Sequence, residues 1–224
     1  MSAQPQVSLP RWLAELERML PIRSQFVVSG NIRDSFLTDM GGATALAPLV
    51  RALWERLYAQ GYRCLLVYDP ADGIRIYPNE PELRSRAERL FDLKLGGGAQ
   101  MVSLETLASL MKNLVAQREV RCALVLDFAS RMTRQPDHLA EGEHRFFVAA
   151  EKLSLTAAPV VPKEGGGVPL FNPVLWLLNR AAAWVSPTST TPCAATKSAR
   201  STIRGRKTIC ATGSAPRRLS SKSV

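Results

Sequence analysis

The run Cys122-Ala-Leu-Val-Leu-Asp-Phe-Ala-Ser-Arg131 constrains this chain more than any other stretch. Small and apolar residues lead, without polar alternation, straight into an acid. That pattern belongs to a strand buried on both faces, as in a parallel sheet covered by helices. It places Asp127 at the carboxyl end of the strand, the edge at which open α/β sheets bind ligands. An isolated acid there also suits a turn or a strand cap, so the pattern alone leaves both roles open.

Further apolar runs at residues 25–29, 64–68 and 170–179 read as strands, the last with Pro173 near its start. Segments of helical period lie between them. Residues 8–20 place Trp12, Leu13, Leu16, Met19 and Leu20 on one side, with Ser8 as cap and Pro10 in the first turn. Residues 44–60 do the same with Leu46, Leu49, Val50, Leu53, Trp54 and Leu57, and Gly61 closes that helix. Residues 81–95, 103–117 and 138–155 read as three more helices, and residues 31–42 as a polar connection. Asp69-Pro-Ala-Asp-Gly73 is a turn by composition, leading into residues 74–77 as an edge hairpin. Strands alternate with helices, which predicts an α/β fold with a mostly parallel, helix-covered sheet.

The net charge of +10 does not describe this folded part. Residues 1–180 hold 21 Lys+Arg against 19 Asp+Glu, whereas residues 181–224 hold 8 Lys+Arg and no acid. Those 44 residues include 15 Ser+Thr and show no apolar period, so they are expected to stay disordered. The chain thus divides into a core at 1–180 and a basic tail at 181–224. Cys64 and Cys122 lie in apolar runs and read as buried thiols, Cys193 and Cys210 lie in the tail, and no C-x-x-C pair suggests zinc or redox chemistry. The amino terminus has no secretory pattern and no run could span a bilayer, so a cytoplasmic protein is expected.

Few residues announce chemistry. No G-x-x-x-x-G-K-[ST] or G-x-G-x-x-G occurs. A phosphate loop would fall between Gly30 and Thr44, where Gly41, Gly42 and Thr44 are present but Lys is not, so triphosphate binding is expected to be weak or absent. The glycine triplets at 96–98 and 165–167 read as loops. His138 and His144, beside Glu141 and Glu143, lack metal-ligand spacing and read as a solvated helix face. Asp69 and Asp72 belong to their turn.

Residues 122–127 resemble a Walker B strand, and residues 174–179 resemble the strand that ends in the sensor-1 polar residue of AAA+ ATPases. The whole span from about residue 10 to 180 is similar to the three-layer, P-loop NTPase core of bacterial AAA-family ATPases. It is most similar to the degenerate ATPase-like region that can precede a complete module in the same chain. The resemblance implies ATP and Mg²⁺ as cofactors. It makes Asp127 the Mg²⁺-supporting acid and Asn179 the residue that orients the attacking water. Phe128 stands where the family has a catalytic Glu, and a phenyl ring cannot polarise water.

The resemblance therefore implies an ATPase-like domain without turnover of its own, serving an ATP-driven assembly through protein partners or copies of itself. Two readings from other classes stay open: a non-enzymatic interaction scaffold, and a nucleic-acid binder working through the basic tail. Salt-sensitive nucleic-acid binding that vanishes on deletion of residues 181–224 would single out the last. The family's core continues into an arginine-finger region and a helical lid, and here it meets Ser, Thr, Arg and Ala instead. Residues from about Ala181 are therefore expected to be read out of frame. The shifted codons of residues 195–201 permit Asn-Lys-Val-Arg-Ser-Ile, and a nucleotide sequence whose shifted frame is equally unstructured would sink that expectation.

Overall fold

The computed structural model describes residues 10–39, 44–96, 98–132, 139–179 and 194–195. In chain order the elements are α1 (Arg11–Met19), β1 (Gln25–Ser29), β2 (Ser35–Asp39), β3 (Thr44–Pro48), α2 (Leu49–Ala59), β4 (Tyr62–Asp69), β5 (Gly73–Tyr77), α3 (Pro81–Phe91), α4 (Leu104–Ala116), β6 (Arg121–Leu126), α5 (Ala129–Met132), α6 (Glu141–Thr156), β7 (Val174–Leu178) and β8 (Ala194–Ala195). The main sheet has the order β5-β4-β6-β7-β1-β8, parallel except for β5, which returns antiparallel to β4 through the expected edge hairpin. Asp69 holds that turn by accepting the Ala71 N–H at 2.8 Å.

Every residue of β6 is buried, and its side chains alternate between two cores. Cys122, Leu124 and Leu126 join a cluster with Leu107, Met111 and Leu114 of α4 and Phe146 of α6. Ala123 and Val125 join Leu13 and Leu16 of α1 and Leu53 and Leu57 of α2. This is the three-layer arrangement that an unalternating apolar strand demands. Asn172, fully buried, sets the register at the start of β7. Its amide donates to the Leu114 and Gln117 carbonyls at 2.9 and 2.8 Å, and its Oδ1 accepts the Cys122 N–H at 3.0 Å. One side chain thereby ties the end of α4 to β6 and β7.

The structure corrects several expected boundaries. Residues 44–60 are not one helix: residues 44–48 form β3, paired antiparallel with β2, and only Leu49–Ala59 is helical. Pro48 lacks an N–H and disfavours the α conformation of the residue before it, so the helix cannot begin earlier. Leu46, expected on the buried helix face, is 68% exposed and faces Leu37 across the hairpin. The connection at 31–42 accordingly contains β2. The helix expected at 81–95 stops at Phe91, because Asp92 takes a left-handed turn at φ 52°. The strand expected at 170–179 covers only residues 174–178, and Leu170 instead bridges Val160. Ser8, His138 and the tail at 181–224, apart from β8, lie outside the described residues. Among the described residues no helix is long and apolar enough to cross a membrane.

Leu124→Ala should lower the unfolding free energy by about 2–5 kcal/mol in urea denaturation, because both sides of its site are packed. Leu155→Ala, at a residue 68% exposed, should stay within about 0.5 kcal/mol of the parent.

Candidate functional site

The carboxyl edge of the sheet gathers the chain's unusual polar geometry. β1 ends at Ser29, and the Gly30 N–H extends the ladder to the Leu178 carbonyl of β7 at 3.1 Å. The chain then turns tightly: Ile32 N–H reaches the Gly30 carbonyl at 3.0 Å, and the Asn31 amide donates to Asp34 Oδ1 at 2.5 Å. Ile32 is buried and packs with the α1–α2 cluster. The anchored Ile32 fixes the position of its neighbour, Arg33.

Arg33 reaches Asp127 with two hydrogen bonds, Nη1 to Oδ2 at 3.3 Å and Nη2 to Oδ1 at 3.1 Å. The Asp127 side chain is only 7% exposed, and that of Arg33 44%. Oδ1 also accepts the Phe128 N–H at 2.8 Å, and the Asp127 N–H donates to the Tyr68 carbonyl of β4 at 2.8 Å. Phe128 follows in a left-handed conformation, φ 50°, which costs a non-glycine residue about 1–3 kcal/mol. Its ring lies under the Arg33 guanidinium, 3.6 Å from Cζ to ring centroid, a cation–π contact. Asp127 is therefore held by a turn, an ion pair and a strand ladder together.

Asn179 follows β7 directly and is exposed. The register Leu126↔Trp176 places it beyond Asp127 on the same edge. The structure thus brings these two residues to one edge, but the partner of the Asp127 carboxylate is Arg33. The Gly30 N–H is taken by the ladder, Thr44 opens a strand opposite Asp39, and Gly41 and Gly42 lie outside the described residues. The amino terminus of α2, which would have to follow β1 to hold phosphates, comes only after the β2–β3 hairpin and begins Pro48-Leu49-Val50 without a side-chain cap.

Mg²⁺, implied by resemblance, does not fit Asp127 as its carboxylate is held here. Mg²⁺ requires oxygen ligands in near-octahedral array, whereas both Asp127 oxygens already face a guanidinium and one also accepts a backbone N–H. No group of three or more potential metal ligands occurs among the described residues. Other reactive groups are quiet as well. A hydrogen bond with Cys64 and then burial push the Cys122 thiol well up, so it stays protonated. Burial and the nearby Asp69 charge raise the Tyr68 phenol, which cannot serve as a base near neutrality. His144 is exposed, as expected. A cavity of about 550 Å³, lined by Asp72, Arg75, Tyr77, Asn79 and Gly98 among others, lies on the far side of β4 and touches neither Asp127 nor Asn179.

Arg33 is the residue of this edge that sequence reasoning misses. Two signals point to it: it is the single cation between Gly30 and Thr44, and Asp127 is an acid at the end of a buried strand. Asp127→Ala should strand the Phe128 N–H and the guanidinium together and lower stability by about 1–3 kcal/mol, read by urea denaturation.

The model of one family, described as AAA+ chaperone, N-terminal Rossmann-like domain, matches residues 4–184. No curated protein and no solved structure matches the chain.

Proposed function

As the chain belongs to the family of AAA+ chaperone N-terminal, Rossmann-like domains, we propose that it is a domain of an ATP-driven assembly that neither binds nor hydrolyses ATP itself. The observation that carries this reading is the β2–β3 hairpin inserted between β1 and α2. A phosphate cradle needs backbone N–H groups and a helix amino terminus immediately after the first strand. Here that place is taken by an antiparallel hairpin, and the helix beyond it starts with a proline and two aliphatic residues. Phe128 in place of a water-polarising acid supports the same reading.

On this reading the sheet is a scaffold, and contact with a protein partner or another copy is its work. The hairpin supports that role. Leu37 and Leu46 face each other across it, 47% and 68% exposed, an apolar pair turned to solvent. Residence in the cytoplasm belongs to the same proposal. Binding of nucleic acid by the tail has no support in the described residues.

The test is titration of the full chain with ATP, with and without Mg²⁺, while following the melting temperature and phosphate release. A ligand that binds only the native state must raise Tm with concentration. No shift at millimolar ATP and no turnover are expected. Mg²⁺-dependent turnover that disappears in Asp127→Ala would overturn the proposal.

A further inference from the structure

The family resemblance calls for a divalent cation beside Asp127, and the structure puts a guanidinium there. We propose that Arg33 is a resident counter-ion standing in the place of that cation, so that the loop after β1 is tied to the end of β6 regardless of metal or nucleotide supply. The inference rests on the reading of the domain as non-hydrolysing and adds how its edge is kept in one state.

The geometry favours this over an incidental surface pair. Exposed ion pairs contribute about 0–1 kcal/mol, because water already solvates both partners. Asp127 is not such a partner: its side chain is 7% exposed, and a carboxylate so placed needs a charge close by. Arg33 meets the two carboxylate oxygens with two separate nitrogens, a fork that a single ammonium does not offer. Phe128 then covers one face of the guanidinium, 3.6 Å away, while keeping a backbone conformation that L residues avoid. Strain of that kind persists only where surrounding contacts over-determine it. Ile32, buried in the opposite core, holds the loop so that Arg33 cannot drift away from the edge.

A nucleotide-bound metal would join the first strand's loop to the acid only while bound. An arginine carried on that loop does so permanently. The chemical consequence is specific: removing the guanidinium frees the Asp127 carboxylate and opens a water-accessible place beside it, where a divalent cation can enter with that one protein ligand and water in its other positions.

The experiment measures the Tm of the full chain in MgCl₂ and, separately, CaCl₂, against NaCl of equal ionic strength. The parent protein should not respond. Arg33→Ala should melt several degrees lower and recover in proportion to divalent-cation concentration. The double variant Arg33→Ala/Asp127→Asn should not recover. Arg33→Gln removes the charge but keeps the first three side-chain carbons and a polar end, and carries the same expectation should the alanine variant fail to fold. Arg33→Lys, which retains the charge, should remain insensitive to divalent cations. A merely structural pair would also lower Tm when broken but would give no cation-dependent recovery, and that result in both Arg33→Ala and Arg33→Gln overturns the inference. A parent protein stabilised by Mg²⁺ through Asp127 overturns it equally, since Arg33 would then be yielding its place. Neither outcome requires ATP turnover, whose appearance in the parent would instead sink the non-hydrolysing reading itself.

Discussion

Strand β6 has helices on both faces and a parallel neighbour on each side, so water reaches it only at its ends. A strand so enclosed cannot carry charge along its length, but both of its ends do: Arg121 opens it and Asp127 follows it. Each charge is nearly removed from water and must be met by the protein. Much of the rest of the molecule is arranged around those two obligations.

At the amino end Arg121 is 5% exposed, and its guanidinium is met by backbone carbonyls. It donates to the Gln60 carbonyl, at the close of α2, and to the Val168 carbonyl beyond the glycine triplet. A cation at a helix carboxyl terminus is favoured by the unpaired carbonyls there. The glycines make room for it: a Cβ on Gly61 would come within 2.9 Å of Arg121 Nη1, and Gly61 has a φ of 86° in any case. Nε of Arg121 has no partner among the described residues, so the charge is met only in part. The glycine triplet at 165–167 is thus a loop, as its context suggests, but one that closes over a buried cation. At the carboxyl end Asp127 is met more completely, and by side chain as well as backbone. The two ends of one strand are answered differently, carbonyls and a helix dipole for one and a long-stemmed guanidinium for the other.

Periodicity makes most of the fold legible. β1 is readable over its whole length from Gln25 to Ser29, since five residues flanked by turn formers admit little else. The helix of Leu107, Met111 and Leu114 is equally plain, and in the structure Ser103 caps it, accepting the Thr106 N–H at 3.1 Å. The region from 31 to 48 misleads for a physical reason. Leu46, Leu49, Val50 and Leu53 satisfy helical spacing, and that pattern outweighs Pro48 within it. Tertiary packing resolves the conflict in favour of the proline, since α2 can bury Leu49 and Leu53 without Leu46.

The candidate site is legible only in half. That Asp127 sits at a sheet edge follows from the residues leading into it, because local hydrophobicity states how deeply a strand is buried and where it ends. That its partner is Arg33 does not follow, for the two lie 94 residues apart in the chain. They meet because β7 lies between β1 and β6, and a long arginine on the loop after β1 can cross the end of β7. Strand order arises from the sum of many weak packing choices, none of which is written near Arg33 or Asp127. Burial and period are properties of a segment and can be read from it. The meeting of two charges is a property of the folded sheet, and it is this meeting that gives the buried Asp127 carboxylate its counter-charge.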